Sequence, residues 1–251
     1  MKRIYAILAM TVALMVSASN SMAQVSVGAG YGLANHTSKM ITGNEVQGQV
    51  PLNMSGLYVG GYYKWNFLSK TWGSLALQPG LEYSFYSKKI EDVTEDFMGT
   101  EMTGKAYRKD HYLDVPVNVR YSYNILPGTL ELSAYAGPVL SFGLACNSVT
   151  KFENENFWAT MRVNGYNGKG SVKGEILGEK IDETLDEGDT GYSMFDLKLG
   201  IGIVATVIER IDVKVGFNIG LLNRTSKMKD DSGNKFVSRT NVFQIGVGYN
   251  F

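Results

Sequence analysis

Asn241-Val242-Phe243-Gln244-Ile245-Gly246-Val247-Gly248-Tyr249-Asn250-Phe251 closes the chain. Its odd positions, Phe243, Ile245, Val247, Tyr249 and Phe251, are all apolar, while the even ones are mostly small or polar. Strict period-two alternation describes a strand with one apolar face. An apolar face carried to a terminal aromatic suits an outer-membrane barrel, whose outside meets hydrocarbon and whose rims hold aromatic girdles.

The other end points to the same compartment. Met1-Lys2-Arg3 is basic, residues 4–16 are almost wholly apolar, and Ser21-Met22-Ala23 places small residues at both cleavage-determining positions. The pattern predicts a signal peptide over residues 1–23, cleaved before Gln24. The apolar run is too short for a spanning helix, which needs about 20 residues. Gln24 rather than Cys at the cut argues against lipoprotein processing. Residues 24–251 then form one barrel domain.

Charge is balanced, 24 basic against 24 acidic residues, so nothing implies a nucleic-acid partner. Twenty-nine Gly, fifteen Tyr and eleven Phe mark a β-rich chain. Cys146 is the only cysteine and has no internal disulfide partner.

Eight segments alternate long enough to cross a bilayer as tilted strands, which takes roughly 9–11 residues. They are 24–34, 55–67, 73–87, 108–123, 129–146, 192–208, 211–223 and 238–251. Connections alternate short and long, with long ones at 35–54, 88–107, 147–191 and 224–237. Short periplasmic turns and long external loops are the rule for such barrels. The expected fold is all-β: an eight-stranded antiparallel up-and-down transmembrane barrel.

A soluble barrel turned inside out shows the same alternation, and the aromatics separate the two. Trp65, Phe67, Trp72, Tyr121, Tyr123, Tyr249 and Phe251 fall at the short-turn rim. Tyr83, Phe85, Phe142, Phe195 and Phe243 fall toward the long-loop rim, on the aliphatic face. A bilayer sorts aromatics by height in this way; a dry core has no reason to.

The opposite face carries Lys64, Glu82, Asp114, Arg120, Glu131, Asp196, Lys198, Asp212 and Lys214. Small barrels leave little bore. Near-equal signs predict ion pairs filling the lumen, against the alternative of a narrow ion path. Pro79, Pro116 and Pro138 fall inside expected strands, where bulges are expected because proline lacks a ladder donor.

Three phrases carry a resemblance: Gln78-Pro79-Gly80-Leu81-Glu82-Tyr83-Ser84, Tyr112-Leu113-Asp114-Val115-Pro116-Val117-Asn118-Val119-Arg120-Tyr121 and Ala136-Gly137-Pro138-Val139-Leu140. With the signal segment and aromatic terminus, the chain resembles the PorT-like outer-membrane β-barrel family. The resemblance implies an eight-stranded barrel akin in shape to small OmpA- and OmpX-like barrels, with the prolines part of its pattern and no shared catalytic motif. One member group assists a secretion apparatus.

Candidate chemistry is sparse. His36 falls in the expected first loop, and His111 lies beside Asp110 and Asp114 but with the opposite strand parity. Neither has a nucleophile motif or metal spacing with it, so no catalysis, metal or cofactor is expected. In the third loop, Ile176, Leu177, Ile181, Thr184 and Leu185 recur at near-helical spacing before Gly188, predicting a short amphipathic helix on the barrel mouth. Its acidity suggests divalent cations bridging lipopolysaccharide phosphates, although no calcium-loop signature is present. Gly233 marks a turn at the tip of the fourth loop.

The expected role is non-enzymatic, structural or surface-binding, through the external loops. Expected partners are outer-membrane lipid and lipopolysaccharide, the barrel-assembly machinery through the C-terminal strand, and a protein or glycan ligand at the loops. The alternatives are an ion-conducting pore, an accessory of a secretion or transport apparatus, a lipid-modifying rim enzyme, and a soluble ligand-binding barrel.

Overall fold

The computed structural model describes residues 23–43, 45–97, 100–154, 157–176, 179–186, 190–226, 228 and 234–251. The expected signal segment up to residue 22 and the turn expected at Gly233 lie outside them. The strands are β1 (Ala23–Thr42), β2 (Glu45–Lys70), β3 (Gly73–Phe97), β4 (Thr100–Leu126), β5 (Leu130–Asn154), β6 (Phe157–Asn164), β7 (Lys169–Ile176), β8 (Glu179–Asp186), β9 (Phe195–Val207), β10 (Ile211–Gly220) and β11 (Lys235–Asn250).

Eight of them close a ring in the order β4-β3-β2-β1-β11-β10-β9-β5, with β5 pairing back to β4. Every pairing is antiparallel. Closure removes sheet edges and satisfies each backbone donor between strands, which is what permits a sheet to cross lipid. Along β10, Ile211, Val213 and Phe217 are exposed while Asp212 and Asn218 are buried. Ile203 on β9 is 63% exposed, whereas Lys198 on the same strand is 1% exposed. The greasy side of the sheet is outside.

Aromatic pairs brace the short-turn rim. Trp72 stacks on Tyr121, whose hydroxyl donates to the Trp72 carbonyl at 2.7 Å. Tyr249 meets Phe251 edge-on, and Arg210 donates to the Tyr249 hydroxyl at 3.1 Å. At the same rim, the three-residue connection from β9 to β10 puts Ile208 and Glu209 at φ 51° and 58°. Hairpin turns with two positive φ values favour Asn-Gly, so this one is strained.

Several expectations need correction. The segments 35–54 and 88–107 are largely strand rather than loop, because β1 to β4 run far past the membrane. Most of 147–191 is also strand. β5 leaves β9 after Phe142, continues beside β4, and adds β6, β7 and β8 in sequence. The helix expected over 175–188 is instead the β7–β8 hairpin, with Gly174 paired to Ile181 and Gly170 to Leu185. Four residues are about one helical turn but also two strand repeats, so the Ile181–Leu185 spacing fits either.

The prolines carry no bulge. Pro79 faces Val117, Pro116 faces Val139 and Pro138 faces Leu199, and the register is unchanged on either side. They sit close together across β3, β4 and β5, so the lost donors are concentrated where the ladder skips a few bridges without slipping. The bulges lie elsewhere, including Asn66/Leu68 and His111/Tyr112.

Beyond the membrane the ring splits into two leaves. β2 and β3 part above the Ser55–Ser87 pair, and β9 and β10 end low. One leaf is β11–β1–β2; the other is the six-stranded sheet β3–β8, whose last strand pairs only with β7 among the described residues.

Candidate functional site

The inward face fills the lumen in tiers. Nearest the periplasm, Arg120 meets Asp212 at 3.3 Å and Glu131 at 3.4 Å, and donates to Thr206 at 3.0 Å. Lys64 reaches the same Glu131 at 3.3 Å. Thr206 and Asn250 donate to Asp212 at 2.6 and 2.9 Å.

In the middle tier, Glu82 accepts from Tyr62 at 2.9 Å, Lys214 at 3.2 Å and Gln244 at 3.2 Å. The Lys214 ammonium lies 5.1 to 5.6 Å from the ring centres of Tyr58, Tyr62 and Tyr135, within cation–π range. The bore holds these rings only because glycines face them. A Cβ on Gly216 or Gly246 would collide with the hydroxyl of Tyr135 or Tyr58.

Higher up, Lys198 pairs with Asp114 at 3.5 Å, and buried Asp196 lies across from Ser141 on β5. An apolar layer follows, of Ala34, Met54, Tyr86, Tyr112 and Val242. The cavity left between the first two tiers is about 30 Å³, room for a water or two.

Above that layer Arg224, from the β10–β11 connection, closes the mouth. It is 1% exposed. Its guanidinium donates to the Tyr112 hydroxyl at 3.0 Å, the Tyr166 hydroxyl at 2.8 Å and the Ser193 carbonyl at 3.0 and 3.2 Å. It also lies 4.6 Å from the Tyr192 ring centre. Tyr166 comes from the β6–β7 turn and lies against Gly143 on the wall. One side chain therefore ties the extracellular hairpins to the barrel. Arg224, Tyr166 and Tyr192 sit in connections without periodic pattern, so sequence reading passed over them. A bulky aromatic inside the Asn164-Gly165-Tyr166-Asn167-Gly168 turn was the available signal.

The family model for the outer membrane protein beta-barrel domain matches residues 4–251. The chain belongs to this family. The family match is broader than the PorT-like group. Among solved structures, the chain is similar to Ail, the attachment invasion locus protein of Yersinia pestis, in complex with the heparin analogue sucrose octasulfate. Identity is 12% over 91% of this chain and 99% of that one, with a TM-score of 0.35. Neisserial surface protein A matches at 13% identity over 90% and 97%, with a TM-score of 0.36. The outer membrane protease OmpT from Escherichia coli matches at 10% over 94% and 99%, with a TM-score of 0.39. At these values the likenesses carry no argument about function. No curated protein matches the sequence.

Within an outer-membrane barrel the two histidines read differently from the sequence expectation. His36 is not in a loop. It lies inside β1, above the last lipid-facing residue Leu33, and is 2% exposed. Its Nδ1 is 2.9 Å from Thr240 Oγ1, and its Nε2 is 3.5 Å from Asp110. A hydroxyl, an imidazole and a carboxylate in line have the parts of a nucleophile relay. However, burial, only partly opposed by Asp110, drives the imidazole down to about 3. Thr240 is fully buried, so its hydroxyl is shielded from solvent in this arrangement. Asp110 is also held by Arg108 at 3.1 Å and by the Tyr112 hydroxyl at 3.1 Å. The cluster is a brace. His111 points outward, as its parity requires, against Tyr83 at 2.6 Å and over the Phe85 ring. Among the described residues no three His, Cys, Asp or Glu side chains are placed to hold a metal.

Proposed function

We propose that this protein is a non-enzymatic, non-conducting outer-membrane barrel that presents its extracellular sheet β3–β8 to a partner outside the cell. The observation that carries this reading is a contrast within one fold. The lumen is filled by paired inward side chains, while the strands continue outward into a sheet whose last strand pairs only with β7 among the described residues. A barrel that only needed to sit in lipid has no use for that extension. Surface cross-linking followed by pull-down tests it, comparing the full chain with a variant whose 157–186 hairpins are replaced by a short turn. The partner is lost with the hairpins if the reading holds. Unchanged capture overturns the binding half, and discrete conductance in planar bilayers overturns the closed-lumen half.

The finer PorT-like reading, an accessory of a secretion apparatus, rests on the three sequence phrases. It is favoured by a polar periplasmic recess of about 210 Å³, lined by residues including Gln24, Lys64, Glu131 and Glu209. A secretion defect on deletion, rescued by the wild-type gene but not by recess variants, is its test.

A further inference from the structure

The outward face of the extracellular sheet is basic where it leaves the membrane. On β4 the lipid-facing side chains climb through Leu113 and His111 to Lys109, Tyr107 and Lys105. Lys105 is the cross-strand partner of Lys151 on β5, Lys109 partners Asn147, and Val149 on β5 partners Arg162 on β6. Lys105, Lys109, Lys151 and Arg162 are all exposed. Among the described residues none of the four has a carboxylate within ion-pair distance. Asp182 and Asp186 on β8 are already taken by Lys173 and Lys169, at 3.0 and 3.1 Å. Two acidic side chains of the expected cation-recruiting segment are therefore paired with the neighbouring strand, and on the flank of β4 to β6 the four cations outnumber the exposed Glu153.

Two features give this patch a specific reading. Like charges directly opposite across a ladder destabilise the sheet, yet Lys105 faces Lys151. A bound anion between them relieves that repulsion. The patch also begins two residues above His111, whose ring lies 4.9 Å from the Phe85 ring in the outer aromatic band. From there to Lys105 the rise is about 15 Å, allowing for strand tilt. These side chains share the outward strand face of the lipid-facing residues below, so they project sideways from the barrel wall rather than along its axis.

We propose that Lys105, Lys109, Lys151 and Arg162 form a docking flank for the phosphate groups of an anionic glycolipid in the outer leaflet. Arg162 supplies a planar fork suited to phosphate oxygens, and the lysines supply compact charges around it. The sideways orientation favours a lipid over a soluble polyanion. The proposal goes beyond the partner reading above; Lys105, Lys109 and Lys151 lie outside the 157–186 hairpins, so the hairpin variant and the Gln variant distinguish failure of one from failure of the other.

The test uses the full chain in detergent micelles with three probes: bisphosphorylated lipid A, the same lipid dephosphorylated, and soluble heparin. Wild type is expected to bind the phosphorylated lipid at least tenfold more tightly than the dephosphorylated one, with salt weakening the difference. The variant K105Q/K109Q/K151Q/R162Q should lose at least tenfold, since each surface cation contributes roughly fivefold. K105R/K109R/K151R should keep the affinity. Heat-modifiable migration on gels reports that each variant is folded. Equal affinity of wild type and the Gln variant, equal affinity for the two lipids, or tighter binding to heparin than to lipid A each overturns the proposal.

Discussion

The membrane ring and the extracellular sheet are made of the same continuous strands but held by different forces. In the ring, lipid excludes water from one face and the crowded lumen excludes it from the other. Charges there must pair inside, as Arg120 does with Asp212 and Glu131. In the extracellular sheet many charges stand in solvent, and pairs such as Lys173–Asp182 join exposed side chains. The backbone ladder is common to both; what differs is what losing a side chain costs.

The largest expected effect follows from the ring. Arg120→Ala leaves two inward carboxylates without their shared cation and should lower unfolding free energy by about 3–5 kcal/mol, measured by urea unfolding in lipid vesicles. A loss below 1 kcal/mol breaks the contrast at its strongest point. Turning to the lipid side, Val215→Arg on β10 should cost about 2–4 kcal/mol near the bilayer midplane. The same substitution at Ser171 on β7 should be nearly neutral.

His36 sharpens the comparison at the junction of the two regions. Its folded-state value of about 3 lies below the ordinary 6.5, so the native state binds fewer protons than the unfolded chain between those limits. Stability is then complete above pH 6.5 and falls by roughly 1.4 kcal/mol per unit below it. His36→Asn should remove that part of the slope, and parallel pH profiles for the two proteins refute the assignment. At the periplasmic turn, replacing Ile208-Glu209 by Asn-Gly should stabilise the barrel by about 1–2 kcal/mol through relief of left-handed strain. Smallest of all, Lys173→Ala in the extracellular sheet should shift stability by less than about 1 kcal/mol, because both partners are solvated. Hydrogen exchange of β7 and β8 reads that change locally.

Legibility followed the same division. Along β10 the alternation Ile211, Val213, Val215 against Asp212, Lys214, Gly216 required a sheet with unlike faces, and the aromatics at both rims required that its apolar face be outside. Above the membrane that signal fades because both faces are wet, so 35–54 and 88–107 read as loops although the chain there stays extended. Lys169-Gly170-Ser171-Val172-Lys173-Gly174 did alternate, and it was the available hint that the segment ahead of Ile181 is a hairpin. The His36–Asp110 pairing joins β1 to β4 across the barrel, and Arg224 meets Tyr112 and Tyr166 from three distant parts of the chain. No local pattern encodes such contacts.

By itself, the sequence determined which side chains face lipid and which face inward, because a two-residue repeat is a local property that survives any arrangement of the strands. Only the tertiary structure decided which charges meet in the lumen, which arginine closes the mouth and where the extracellular strands run. Those outcomes depend on register and on contacts between residues as far apart as His36 and Thr240, which the ring fixes only when it closes.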